Sequence, residues 1–195
     1  MFNSIIKSVL KAVAMITFRV KKIGEENIPD GPCILCGNHI NALDAPVAIV
    51  CMKRKVCFMA KEELFKSKFI KYIGGEVLGV FPVKRESQDI EAVKKALSVI
   101  KQGDILGIFP EGTRNGMAKN AKIKNGAAFF AVKTGVPVIP VGIQGSFKPF
   151  SKVKFNFGEP LDFSQYKSKK PEKETLELIT TEIMQSIIRL TNEKV

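Results

Sequence analysis

From residue 31 onward, short apolar segments alternate with longer segments whose apolar residues recur at helical spacing. The apolar segments cover residues 32–37, 55–60, 77–82, 105–109, 137–143 and 152–158. The segments of helical pattern cover residues 43–52, 62–70, 87–102, 123–134 and 172–191. Continuous apolar strands separated by helices are typical of parallel pairing with both sheet faces covered. The alternation therefore predicts an α/β fold: a mixed, largely parallel sheet covered by helices, with some antiparallel pairing at an edge.

The first 22 residues differ from the rest of the chain. Apolar residues recur at helical spacing through residues 2–13, and residues 12–18 are largely apolar. That apolar run is too short to span a bilayer, and Arg19, Lys21 and Lys22 follow it. We therefore expect an amphipathic helix over residues 1–22 that lies in the membrane interface, followed by one domain over residues 23–195. A helix that simply packs on the domain is the alternative.

The charge of the chain indicates an anionic partner. Lysine and arginine number 31 against 19 aspartate and glutamate residues, a net charge of +12. Nucleic acid is not expected, because zinc-finger spacing and RNP-like aromatic motifs are absent, with no Trp and only two Tyr. An anionic lipid surface and a phosphorylated ligand fit this charge better.

The four cysteines do not have the pattern of a metal site. Cys33 and Cys36 would point to opposite faces of a strand. Cys51 and Cys57 have the wrong spacing for a usual zinc site. We expect buried, reduced thiols and no metal ion.

His39 is the only histidine of the chain, and Asp44 follows it five residues later. Histidine is the side chain whose unperturbed pKa lies near neutrality, and a nearby carboxylate can fix its tautomer and stabilise the imidazolium. Residues five apart do not share a face of a continuous helix, so the two side chains can meet only if His39 lies in a turn or at a helix start. The predicted strand–turn–helix puts His39 at the carboxyl end of a strand, where α/β proteins bind ligands. A core histidine hydrogen-bonded to a turn is the alternative.

A second polar segment follows the apolar strand that runs into Pro110. It contains Glu111, Gly112, Thr113 and Arg114. Glycine lets backbone amides approach a ligand closely, and the guanidinium fork of arginine suits phosphate. Taken alone, this segment is equally explained by a β-turn with solvated charges.

Together these segments resemble the glycerolipid acyltransferases, specifically the 1-acylglycerol-3-phosphate (lysophosphatidate) acyltransferases. Four blocks occur in that family's order, at residues 38–44, 79–85, 109–114 and 136–141, and a further family feature lies at residues 60–65. Two departures concern Ile40 with Asn41, where bacterial relatives commonly have Gln-Ser, and Lys84, where an acid usually precedes the arginine. They bear on head-group or donor preference more than on the chemistry.

The resemblance implies acyl transfer from a thioester of acyl-carrier protein or coenzyme A to the 2-hydroxyl of lysophosphatidate, which gives phosphatidic acid. His39 would be the general base and Asp44 would orient it. Direct transfer is expected, with no protein nucleophile and no cofactor. Because the acceptor and the product are membrane lipids, we expect a peripheral, monotopic protein on the cytoplasmic face of the cell membrane.

The expected substrate-binding residues all lie in the family's blocks. Cations are needed for the substrate phosphate, and Glu111 is expected to fix its turn or to bind glycerol hydroxyls. Backbone amides near Gly112 or Thr113 are candidates for binding the oxyanion of the tetrahedral intermediate. The full set comprises Lys61, Arg85, Glu111, Gly112, Thr113 and Arg114.

Two other functions stay open at this point. One is a sibling acyltransferase that acts on glycerol-3-phosphate or another lysolipid. The other is a non-catalytic protein that binds anionic lipid or nucleic acid through charge alone, which would have no use for His39 and Asp44 together. A serine hydrolase is disfavoured because the chain has no Gly-x-Ser-x-Gly elbow.

Overall fold

A computed structural model describes residues 2–84, 89–116, 122–168 and 170–193. Its strands are β1 (Arg19–Ile23), β2 (Cys33–Gly37), β3 (Val56–Lys61), β4 (Phe81–Val83), β5 (Ile105–Ile108), β6 (Val138–Gly145) and β7 (Lys152–Phe157). Its α-helices are α1 (Phe2–Thr17), α2 (Asp44–Cys51), α3 (Lys68–Ile70), α4 (Ile90–Lys101), α5 (Gly126–Thr134) and α6 (Lys173–Asn192). Three short 3₁₀ turns (Glu25–Asn27, Glu62–Lys66 and Ser164–Tyr166) and a π-helical segment (Lys71–Val77) complete the described structure.

The strands form one sheet in the order β1-β7-β6-β2-β5-β3-β4. Strands β6 and β7 pair antiparallel, and the other neighbouring pairs are parallel. The predicted α/β fold with a mixed, largely parallel sheet is therefore confirmed. The antiparallel pair does not lie at the edge, because β1 adds in parallel to the outer side of β7.

Helices cover both faces of the sheet and divide the core into two layers. Helices α1 and α2 and the turn after the π-helical segment bury one face, and α4, α5 and α6 bury the other. Cys33 and Cys36 are both fully buried and belong to opposite layers, as their spacing predicted. Burial raises the pKa of the Cys33 thiol to about 11 and raises that of Cys36 as well, so both thiols are protonated near neutral pH.

The N-terminal helix is shorter than predicted. It ends at Thr17, and Arg19–Ile23 forms the edge strand β1 instead of continuing the helix to residue 22. The main chain of β1 pairs with that of β7, a contact with residues more than 130 positions away that no local pattern encodes. Lys22 is held inside this arrangement, since its Nζ donates to Glu25 Oε2 at 2.7 Å and to the carbonyl oxygen of Cys51 at 2.9 Å.

Helix α1 has apolar side chains on the face that packs against the domain and also on the face that points outward. Ile6 and Leu10 pack against the core and Ala14 is buried in it. A second set of apolar side chains points outward and is more than half exposed: Phe2, Ile5, Val9, Val13 and Ile16. Among the described residues, no helix is both long enough and apolar enough to cross a membrane.

The segment between β3 and β4 also departs from expectation. Residues 62–70 were predicted to form one helix and residues 77–82 a strand, but a 3₁₀ turn, α3 and a π-helical segment occupy residues 62–77. Strand β4 covers only Phe81–Val83. Val77 and Leu78 pack into the core, and Gly79 turns the chain into β4 with a φ of +74°, a conformation that other residues rarely adopt.

Candidate active site

The ends of four neighbouring strands bring the predicted functional segments together. Strands β2, β5, β3 and β4 are parallel, so the residues that follow them meet at one edge of the sheet. A cavity of about 530 Å³ opens at this edge. His39, Lys61, Lys84 and Phe109 line it, each at or just after the end of a different strand.

His39 and Asp44 form a hydrogen-bonded pair. The distance from His39 Nδ1 to Asp44 Oδ2 is 2.7 Å, and Asp44 is fully buried. The same carboxylate oxygen accepts the backbone N–H groups of Ile40 at 2.7 Å and Asn41 at 2.8 Å. An ionised carboxylate only accepts hydrogen bonds, so this contact assigns the ring proton to Nδ1 and leaves Nε2 as an acceptor.

Local sequence explains why the pair can form. Asn41 Oδ1 accepts the backbone N–H of Leu43 at 3.0 Å, an Asx turn that leads into α2 at Asp44. Asn38 is buried and its side-chain amide bonds to both the N–H and the carbonyl of Ile143 in β6. The turn is thus fixed at both ends, and the departure from the family pattern at Asn41 has a structural role.

The segment after β5 holds the backbone of the histidine. Glu111 is buried, and its Oε1 accepts the N–H of His39 at 3.0 Å. The N–H of Asn115 donates to the carbonyl oxygen of His39 at 2.6 Å. Gly116 packs against Glu111 so closely that a Cβ there would lie 2.8 Å from Oε2. The expectation that Glu111 fixes structure therefore agrees with its contacts, although the group it holds is the His39 backbone.

Aromatic rings support the imidazole from one side. The ring of Phe109 stacks on His39 with centroids 4.3 Å apart and planes 7° from parallel. Phe58 stacks on Phe109 in turn, with centroids 5.1 Å apart. Gly107 makes room for Phe58, because a Cβ at that position would lie 2.4 Å from the Phe58 ring. The flat face of the imidazole is therefore fixed by side chains from β3 and the end of β5.

Four cations line the cavity within the described residues. Lys61 and Arg114 were predicted as phosphate ligands, and both are present there. Lys84 and Lys124 are present as well, and neither was predicted as a ligand. The backbone N–H of Lys124 donates to the carbonyl oxygen of Pro110 at 2.9 Å, which brings the residue into the site from just before α5. Arg85, the remaining predicted cation, lies outside the described residues.

The beginning of helix α5 adds to the positive potential, since its first residue, Gly126, lines the cavity. The first turn of α2 also lines it, but Pro46 has no N–H and the N–H groups of Asp44 and Val47 are bonded to carbonyl oxygens of the preceding turn. Unpaired backbone N–H groups at helix N-termini favour anions. The cavity can therefore hold a phosphate group beside the histidine.

The turn at Gly112 has a structural requirement of its own. Gly112 has a φ of +61°, and its N–H donates to the carbonyl oxygen of Phe109 at 3.0 Å. That amide is bonded within the turn, and an oxyanion-binding role for the amides of Gly112 or Thr113 stays a prediction. A Cβ at this position would meet Lys124 Cε at 3.1 Å. Gly112 and Thr113 both line the cavity.

Apolar side chains also line the cavity: Leu64, Phe65, Ile70, Leu78 and Val80. Residues 136–141, the fourth block of the family pattern, lead into and form β6, where Val138, Ile139 and Val141 are buried. The cavity that contains His39 is thus lined by both cationic and apolar side chains.

Comparison with known proteins identifies the class. The Acyltransferase family matches residues 19–144, which contain every segment of the site described above. The chain belongs to this acyltransferase family, and more particularly to the group that includes the bacterial 1-acyl-sn-glycerol-3-phosphate acyltransferases.

The relatives support this assignment over nearly the whole chain. The chain is 31% identical over 192 residues to the 1-acyl-sn-glycerol-3-phosphate acyltransferase of Bacillus subtilis, covering 94% of each protein. It is 36% identical over 139 residues to the Borreliella burgdorferi enzyme of the same name, covering 69% of this chain and 55% of that one. The crystal structure of the 1-acyl-sn-glycerophosphate acyltransferase of Thermotoga maritima superposes with a TM-score of 0.66 at 29% identity, covering 96% of this chain and 81% of that chain.

Proposed function

We propose that this acyltransferase moves a fatty acyl group from a thioester to the 2-hydroxyl of 1-acyl-sn-glycerol-3-phosphate, which yields phosphatidic acid. The observation that carries the proposal is the 2.7 Å contact of His39 with the buried Asp44 at a cavity lined by both cationic and apolar side chains. The relatives named above carry the same activity in their names.

The chemistry follows from the position of the imidazole. His39 Nε2, the nitrogen not used by Asp44, takes the proton of the acceptor hydroxyl as its oxygen attacks the thioester carbonyl carbon. The buried carboxylate of Asp44 stabilises the imidazolium that forms. The carbon–sulfur bond then breaks, and His39 returns the proton to the leaving thiolate. No side chain of the protein is acylated in this sequence of steps.

Binding of the acceptor uses both the cationic and the apolar residues of the cavity. The phosphate of lysophosphatidate is held by Arg114, Lys61, Lys84 and Lys124 together with the beginning of α5. Acyl chains occupy the apolar part of the cavity, where burial of each methylene contributes about 0.8 kcal/mol. A lipid with one phosphate and one acyl chain matches this pair of surfaces.

The protein works at a membrane surface in this proposal. The outward apolar face of α1 lies in the interface as a monotopic anchor, and Lys11, Arg19 and Lys21 are exposed cations that attract anionic head groups. Lys22 is excluded from that role by its internal bonds. Lys7 is partly buried, and burial lowers its pKa. Thioester donors and the reduced, buried thiols agree with the cytoplasmic side of the membrane.

One experiment tests the reaction, the acceptor and the donor together. Purified protein is incubated with lysophosphatidate, glycerol-3-phosphate or lysophosphatidylglycerol, each paired separately with acyl-carrier-protein and coenzyme A thioesters. Mass spectrometry of the lipids should find phosphatidic acid from lysophosphatidate as the main product. The folded His39→Ala protein is the control and should give none. Preferred acylation of another acceptor would overturn the assignment of lysophosphatidate.

A further inference from the structure

Residues 64–72, which we call the mouth segment, combine exposed apolar side chains with lysines. Their sequence is Leu-Phe-Lys-Ser-Lys-Phe-Ile-Lys-Tyr, with three lysines and no acidic residue. Phe69 is 73% exposed, more than any other large hydrophobic residue of the described structure, and Leu64 is 51% exposed. Leu64, Phe69 and Ile70 are all exposed within seven residues, and a cluster of exposed apolar side chains is typical of an interaction surface.

The mouth segment forms part of the wall of the active-site cavity. Leu64, Phe65 and Ile70 line the cavity, whereas Phe69 lies beside Ile70 and points away into solvent. Leu64 and Ile70 both line the cavity and are themselves exposed, so the segment presents apolar side chains to the cavity and to solvent.

The mouth segment is also joined to the N-terminal end of α1. The hydroxyl of Tyr72 donates to Asn3 Oδ1 at 3.1 Å. Asn3 Nδ2 donates to the carbonyl oxygen of Glu76 at 3.3 Å. Phe2 belongs to the outward apolar face of α1, is 67% exposed and immediately precedes Asn3. The outward apolar face of α1 and the mouth segment are therefore adjacent.

The charges identify the partner as an anionic bilayer. Lys66, Lys68 and Lys71 are all exposed and alternate with the apolar side chains, while the nearest acids, Glu63 and Glu76, lie outside the segment. Apolar side chains that insert and lysines that meet head groups are the two contributions that hold an interfacial segment on an anionic membrane.

We propose that the mouth segment is a second membrane-binding element, which inserts Phe69 among the acyl chains of the leaflet and opens the cavity directly onto it. The inference rests on the proposed function, because it states how a lipid acceptor reaches His39. Helix α1 and the mouth segment then bind the bilayer at two points and fix the orientation of the cavity. The lipid can enter the cavity without leaving the membrane.

The first test removes the apolar contact. Phe69→Ser is compared with Leu178→Ser, which removes a 57% exposed leucine from α6 on the opposite side of the sheet. Flotation with vesicles of equal parts phosphatidylcholine and phosphatidylglycerol should show about tenfold weaker partitioning for Phe69→Ser. Leu178→Ser should float like the unmodified protein. Equal flotation of the two variants would overturn the proposal, and matching melting temperatures establish that both are folded.

The second test removes the charges. A triple variant of the mouth segment, Lys66→Gln with Lys68→Gln and Lys71→Gln, is compared with a triple variant of α4. The α4 variant changes Lys94, Lys95 and Lys101 to Gln and lowers the net charge by the same amount on the other side of the sheet. Only the mouth-segment variant should lose its preference for vesicles that contain phosphatidylglycerol. Equal losses would show that net charge, and not this segment, determines binding.

Activity assays separate this inference from the proposed function. Phe69→Ser should acylate vesicle-embedded lysophosphatidate several-fold more slowly than the unmodified protein, with unchanged turnover of detergent-dispersed lysophosphatidate. If the unmodified protein acylates lysophosphatidate in neither form, the proposed function fails, and flotation still decides whether the mouth segment binds membranes. If Phe69→Ser slows both assays equally, Phe69 belongs to the cavity and the proposal is wrong.

Discussion

The carboxylate of Glu111 accepts a hydrogen bond from the backbone N–H of His39 at 3.0 Å, a contact between residues 72 positions apart. A second hydrogen bond joins the same two segments, because the backbone N–H of Asn115 donates to the carbonyl oxygen of His39 at 2.6 Å. The two sequence blocks that contain His39 and Glu111 are therefore one structural unit: the segment after β5 holds the main chain of His39. Displacement of Glu111 should therefore move the imidazole of His39.

Loss of the imidazole should abolish the reaction. His39→Ala removes the base, and Asp44→Asn removes the negative charge that fixes the tautomer and stabilises the imidazolium. We expect turnover to fall on the order of 10²–10⁴-fold in Asp44→Asn and to below detection in His39→Ala. Steady-state rates are measured alongside circular dichroism to establish folding. Near-normal turnover by a folded His39→Ala protein would refute the mechanism.

The contact between Glu111 and His39 predicts that a larger residue at position 116 lowers the turnover number. A methyl group in Gly116→Ala would lie within 2.8 Å of Glu111 Oε2 and would displace that carboxylate from the His39 amide. We expect a lower turnover number with a smaller change in the Michaelis constant for lysophosphatidate. Gly31→Ala is the control, because nothing lies within 4 Å of the added Cβ. Equal kinetics for the two variants would mean that the turn tolerates the displacement.

Removal of a cavity cation should weaken the binding of lysophosphatidate more than the binding of the thioester. Arg114→Ala and Lys124→Ala each remove a charged donor from the phosphate, a loss of about 1.5 kcal/mol or roughly tenfold in affinity at an exposed site. The Michaelis constant for lysophosphatidate should rise by that factor while that for the thioester changes less. Lys101→Ala, on the exposed surface of α4, is the control. An equal rise for both substrates would move the residue from the phosphate site to the fold or the donor site.

The outward face of α1 can be tested without disturbing the core. Deletion of residues 2–18 would also remove Ala14 and Phe18, which are buried, so loss of binding by such a protein would be ambiguous. A triple serine variant at Ile5, Val9 and Val13 changes only side chains that are more than half exposed. It should bind anionic vesicles weakly and keep its melting temperature.

The matched control for that variant replaces three exposed apolar residues elsewhere with serine: Ile90, Leu178 and Ile188. It removes a similar apolar surface and should leave flotation unchanged. If the α1 variant floats as efficiently as this control, α1 is only a packing element and the membrane contact lies elsewhere.

Burial of the cysteines predicts both their reactivity and a pH dependence. The pKa of Cys33 is raised to about 11 from 9.0, so iodoacetamide at pH 8 should label this thiol only after unfolding. A raised pKa in the folded state also means that the unfolded chain loses the proton first. The free energy of unfolding should therefore decline as pH rises above about 9, by at most about 1.4 kcal/mol per pH unit for each thiol. Rapid labelling of Cys33 in the native protein would contradict this burial.

Local sequence was sufficient for much of the fold and for the central pair of the site. The continuous apolar runs of β2 and β6 and the periodicity of α6 predicted these elements within one or two residues of their bounds. His39 and Asp44 are only five residues apart, so a single turn decides whether they meet. The predicted strand and helix on either side of His39 require a turn between them, and this turn brings the two side chains together.

Tertiary structure determined those features of the fold and the site that depend on contacts between residues distant in the sequence. Strand β1 forms because its main chain pairs with β7. Without that pairing partner, the basic residues of this segment have the pattern of a helix C-terminus, which is why the sequence predicted a helix to residue 22. Lys124 enters the cavity because its amide bonds to Pro110, and Glu111 bonds to His39 because β5 and β2 are neighbours in the sheet. Periodicity reports only which face of an element is apolar, whereas sheet order determines which elements become neighbours. The sequence therefore determined the pairing of His39 with Asp44, and the order of the strands determined which residues surround that pair.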